Sequence, residues 1–169
     1  MSSKLERQDI AKMFLCSSVL EDHISKAYQS LADRVTNRQV SRLLSIISVD
    51  SKKHSVLLKL LSESVQKVTV DEMECEKIFG ASWKTVDDLA KTEVYSVPEK
   101  MDLPSLIKGM STLESYMGEE YMTSAHLVLA KLAAEEIGLE LNTIKVLIDW
   151  IIQDEERHAK IIEMISKMI

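Results

Sequence analysis

The stretch IKVLIDWIIQDEERHAKIIEMI, residues 144–165, decides how the chain is read. Ile144, Ile148, Ile151, Ile162 and Ile165 recur at steps of three and four, the spacing that lines one face of an α-helix. Glu155 and His158 fill the two places that this stripe leaves between Ile151 and Ile162. A carboxylate and an imidazole on a face built for burial are costly unless they pair or bind a metal. Three residues apart, they lie on one side of the helix and can address a single point in space. The plainer alternative is a solvated run, Asp154-Glu155-Glu156-Arg157, with His158 on its shoulder.

The same pattern extends through the rest of the chain. A first helix carries Ile10, Phe14, Ser17, Glu21, Ile24, Tyr28, Leu31 and Val35 on one stripe. A second carries Val40, Leu43, Ile47, Asp50 or Ser51, His54, Leu57 and Leu61. Thr36 or Asn37 can cap the second helix, so the turn between these two is very short and they form an antiparallel hairpin. A third helix, from about Ser105 to Glu136, is apolar around most of its circumference, which leaves its inward face open. In it Glu119 interrupts a run continued by Met122, His126 and Leu129, with Glu120 and Glu114 competing for the inward position. Gly138 and Asn142 divide it from the fourth helix. Between the hairpins, residues 65–103 form a long connection that contains two shorter helices, Val70–Phe79 ending at Gly80 and Ser82–Tyr95. A helix of ~27 residues is ~40 Å long, a distance this connection can span. The expected fold is therefore all-α: one domain over residues 1–169, an antiparallel four-helix bundle. Its parts are a hairpin at 5–64, a long, partly helical crossover at 65–103 and a second hairpin at 104–168.

Composition narrows the functions open to such a chain. Among 169 residues there are only 4 Gly and 2 Pro, too few for the turns of a sandwich or barrel, and no phosphate-cradling glycine loop is present. A net charge of −6 with no basic run argues against nucleic acid or an anionic membrane as partner. The uncharged run Met13–Leu20 is too short to cross a bilayer and lacks the layout of a signal peptide, so the expected location is cytoplasmic. Cys16 and Cys75 form no CxxC pair. They exclude a zinc ribbon or a rubredoxin-type iron site and read as two packed or free thiols.

Three segments resemble the ferritin-like superfamily, and within it the rubrerythrin-type di-iron domain. They are Glu21-x6-Tyr28-x2-Leu31-Ala32, then Gly118-Glu119-Glu120-Tyr121 followed by Ala130-Lys131-Leu132-Ala133, and Asp154-Glu155-Glu156-Arg157-His158-Ala159. The resemblance implies a metal site that takes Glu, Glu-x-x-His, Glu and Glu-x-x-His from successive helices. Carried onto this chain, the ligands are Glu21, His54, Glu119, Glu155 and His158, with Asp50 as a substitute. The chain departs from the family where Ser51-x-x-His54 replaces the second helix's Glu-x-x-His, and where Met122 stands in place of a further carboxylate. No rubredoxin-like cysteine set follows the bundle.

The resemblance also implies iron, two ions per chain or one if Ser51 weakens the second position, with another divalent metal as the alternative. It implies an oxidoreductase that reduces peroxide or dioxygen with electrons from an external donor, and a homodimer. Two readings from other classes stand beside it. One is a protein that binds a single metal without catalysis; the other is a structural bundle whose carboxylates pair with His54 and His158 and hold no metal.

Overall fold

The computed structural model of the chain describes residues 7–95, 104–105, 107–112, 114–115 and 138–169. They are helical apart from short turns, with no strand among them. The chain divides into two compact units, Met1–Val97 and Pro98–Ile169.

In the first unit α1 (Arg7–Arg34) and α2 (Arg38–Val65) are two long helices packed against each other. Asn37 caps α2, its side chain accepting from the backbone N–H groups of Gln39 and Val40, so the turn is as short as expected. What holds the pair together is a ladder of small residues that hydropathy does not reveal. Ala11, Ser18, Ser25 and Ala32 follow one another at intervals of seven on α1, and Ser41, Ser48, Ser55 and Ser62 do the same on α2. The Ser62 Oγ donates to the Ala11 carbonyl at 2.7 Å, Ser18 to Ser55 at 2.8 Å, Ser48 to Ser25 at 2.8 Å and Ser41 to Ala32 at 2.8 Å. Ser25 returns a bond to the Ser48 carbonyl at 2.8 Å. As the number rises on one helix it falls on the other by the same amount, so the helices are antiparallel in one register throughout. Only small side chains let two backbones approach within reach of a serine hydroxyl, and a seven-residue repeat keeps that seam facing its partner.

The seam rotates α2 relative to its predicted stripe. Val40, Leu44, Ile47, Ser51, His54, Leu58 and Leu61 are buried, whereas Leu43 and Leu57 are only half-buried. Ser48, Ser55 and Ser62 are buried beside them, and the buried arc shifts toward the serines.

Two short helices of the crossover pack on the opposite side of α1. Helix α3 (Glu72–Phe79) begins in a capping box formed by Asp71 and Glu74 and ends at Gly80, whose φ of +80° suits glycine. Helix α4 (Ala81–Tyr95) buries Trp83, Val86 and Ala90. Both lie where the sequence placed them. Cys16 on α1 and Cys75 on α3 are joined in a buried disulfide, S–S 2.02 Å, which corrects the expectation of two separate thiols. No local spacing signals a bridge between residues 59 apart. Lys12 pairs with Glu74 at 2.8 Å, and Lys91 reaches Glu72 at 2.5 Å and Asp87 at 2.7 Å. Asp87 also pairs with His23.

In the second unit the described residues 104–105, 107–112 and 114–115 are helical and are called α5. Helix α6 runs Gly138–Ser166. The Pro104 end of α5 shares a pocket with Ile162, Ser166 and Ile169, while Glu114 lies against His158, so the two helices run antiparallel. Asn142 lies inside α6 rather than at a break before it, and so does not end the preceding helix as the sequence suggested. No helix of the described residues is long and apolar enough to cross a membrane.

Candidate metal centre

All seven positions of the stripe read from residues 144–165 are buried: Ile144, Ile148, Ile151, Glu155, His158, Ile162 and Ile165. The apolar residues form the buried face of α6, and that face carries Glu155 and His158 inward with it. The residue before Glu155, Asp154, is also buried and pairs with Arg157. Among the described residues of α5 the buried positions are Ile107, Met110 and Glu114, again at steps of three and four.

These two faces bring Glu114, Glu155 and His158 together. The His158 Nδ1 lies 3.3 Å from Glu114 Oε2 and 3.6 Å from Glu155 Oε1. One donor atom of each residue lies within 4.8 Å of the others, and all three side chains are buried. Burial opposes a charged imidazole, yet the pull of Glu114 and Glu155 outweighs it and raises the His158 pKa from 6.5 to about 10. An arrangement that holds a proton so firmly is one that attracts a cation.

The donor set fits a metal ion on two counts. Bonds of ~2.0–2.2 Å at angles near 90–110° set neighbouring donors about 2.8–3.6 Å apart. The separations of 3.3 and 3.6 Å agree with that and exceed the usual length of a charge-assisted hydrogen bond. Charge agrees as well. Two carboxylates with a protonated imidazole leave the trio at −1, whereas two carboxylates, a neutral imidazole and a divalent cation sum to zero. Oxygen and imidazole donors together suit iron, manganese or zinc better than the soft metals that thiolates select.

The first unit contains a pair of the same chemistry. Glu21 Oε1 lies 3.4 Å from His54 Nδ1, both side chains being buried. The serine seam sets that distance, because Ser18–Ser55 and Ser25–Ser48 bracket Glu21 along the helix pair. Ser51, one turn before His54, is buried on the same face. Asp50 is turned to the rim of that face, part-exposed, and pairs with Lys53 at 2.9 Å.

Glu21, His54, Glu155 and His158 are thus inward-facing, as the sequence led us to expect. Glu119, the expected third-helix ligand, lies outside the described residues, and so does His126. The carboxylate that α5 brings to His158 is Glu114. Its signal was the Ile107–Met110–Glu114 spacing, masked in sequence by an apolar surroundings that gave the helix no phase. No family model, curated protein or solved structure matches the chain.

Proposed function

We propose that this chain is a metal-binding helical protein in which Glu114, Glu155 and His158 hold a divalent transition-metal ion, iron foremost. The observation that carries this reading is the convergence of two carboxylates and an imidazole, all buried, at coordination spacing. Glu21 and His54 repeat the carboxylate–imidazole pairing in the first unit and are the next donors to test.

The resemblance to rubrerythrin-type domains extends the proposal to an activity, the two-electron reduction of peroxide or dioxygen with an external electron donor. Bound iron would supply the redox chemistry. The chain's own part is to fix the donors on two packed helices, to exclude bulk water with the isoleucines above and below them, and to exchange the proton on His158 for the metal. The reading without catalysis is favoured by Ser51, which leaves α2 without the carboxylate of a Glu-x-x-His unit.

Anaerobic ferrous loading followed by metal analysis tests the binding. At least one iron per chain is expected, lost in Glu114→Gln and His158→Ala. The activity is tested by peroxide-driven oxidation of the loaded protein, expected to be faster than that of free ferrous ion. No retained iron would refute the binding. Retained iron that oxidises no faster would leave a metal-binding protein without this catalysis.

A further inference from the structure

The face of α2 turned away from α1 carries a second heptad pattern. Arg42, Ile46, Val49, Lys53, Val56, Leu60 and Glu63 follow at alternating steps of four and three, and all seven are exposed. The four apolar members are between 49% and 66% exposed. Single exposed apolar residues are ordinary, but four in register along one helix make a continuous stripe, the pattern by which helices recognise helices.

We propose that this stripe is where two copies of the chain associate, α2 against α2, antiparallel about a two-fold axis near Lys53. The charges at its ends select both the occupant and the direction. Arg42 closes the stripe at its N-terminal end and Glu63 at its C-terminal end. A parallel second copy would set Arg42 against Arg42 and Glu63 against Glu63. An antiparallel one sets Arg42 against Glu63 at both ends, with Val49 against Val56 and Ile46 near Leu60. A two-fold interface must be self-complementary in this way. Lys53, at the centre, is already held by Asp50 at 2.9 Å, so each copy brings a neutralised pair to the axis and a polar contact that fixes the register. A lipid surface suits the stripe less well, since acidic residues occur within and beside it and the chain carries a net −6.

Sedimentation velocity of the full chain over a micromolar concentration series tests the inference. A dimer is expected. Val49→Glu with Val56→Glu should give a monomer whose circular dichroism matches the wild type and whose melting temperature matches that of the wild type diluted to its own monomer, because both sites are exposed within one chain. Glu63→Arg alone should weaken association on the order of tenfold, and adding Arg42→Glu should restore it. Under oxidising conditions Lys53→Cys should cross-link to itself across the axis, and Arg42→Cys should not. A wild type that stays monomeric, a dimer indifferent to Val49→Glu/Val56→Glu, no restoration by the charge swap, or self-cross-linking through Arg42→Cys would each overturn it. Binding of the stripe to lipid vesicles in place of self-association would overturn it as well.

Discussion

Replacing Ser48 by leucine tests whether the serine ladder organises the first unit. Ser48 is buried, and its Oγ donates to the Ser25 carbonyl at 2.8 Å while Ser25 returns the bond at 2.8 Å. Alanine at this position removes one interhelical bond and leaves the close approach intact, at a cost of about 1 kcal/mol. Leucine removes the same bond and also forces a branched side chain between two backbones, which adds about 1–3 kcal/mol of overpacking. At ~2–4 °C per kcal/mol for a chain of this size, Ser48→Ala should melt a few degrees below the wild type. Ser48→Leu should melt about 5–15 °C below it. Thermal and urea unfolding followed by far-ultraviolet circular dichroism measure both. Ser64 is exposed on the same helix, and Ser64→Leu serves as control, with an expected change of no more than ~0.5 kcal/mol. A Ser48→Leu variant that melts with the wild type would refute the reasoning, as would a Ser64→Leu variant that falls as far.

Three further outcomes follow from other parts of the structure. The Cys16–Cys75 bridge closes a loop of 59 residues, so Cys16→Ser with Cys75→Ser should lose about 4 kcal/mol of stability on the chain-entropy scale; a melting temperature unchanged by the double variant or by reductant would contradict this. Burial raises the pKa of the Asp87 carboxyl, but His23 and Lys91 outweigh it and hold the value below the ordinary carboxylate range. Its stabilising contribution is therefore in place above that range and lost as pH falls through the lowered pKa, so Asp87→Asn should flatten the acid limb of a plot of urea midpoint against pH; an equally steep limb would exclude the assignment. Ser51→Glu completes in α2 the i, i+3 unit that α6 already has. It should destabilise the metal-free protein by burying a charge and raise the metal count per chain on loading, and a count that does not rise would show that Ser51 is not what limits binding.

How much of this was legible in the sequence differed from helix to helix. The α6 stripe was legible in full, because isoleucines on one face state the phase of the helix and so fix which way Glu155 and His158 point. The same held for Glu21, set among Ile24, Tyr28 and Leu31. The α5 carboxylate was not singled out, because a helix apolar all round has no phase and Glu114, Glu119 and Glu120 are then equivalent candidates. The seam was missed for a different physical reason. Serine counts as polar in any hydropathy pattern, yet at a close helix contact its small volume and its hydroxyl are what the site requires. That omission also placed the α2 stripe on Leu43 and Leu57 instead of Leu44 and Leu58. The disulfide joins residues whose proximity only the packing of α3 on α1 creates.

The central claim is that Glu114, Glu155 and His158 share a metal ion. Anomalous diffraction at the iron edge, from crystals loaded anaerobically with ferrous ion, tests it most directly. The account predicts a peak within about 2.0–2.2 Å of a Glu114 oxygen, a Glu155 oxygen and a His158 nitrogen, absent from His158→Ala crystals treated alike. No peak at these three side chains, or one that persists without His158, would contradict it.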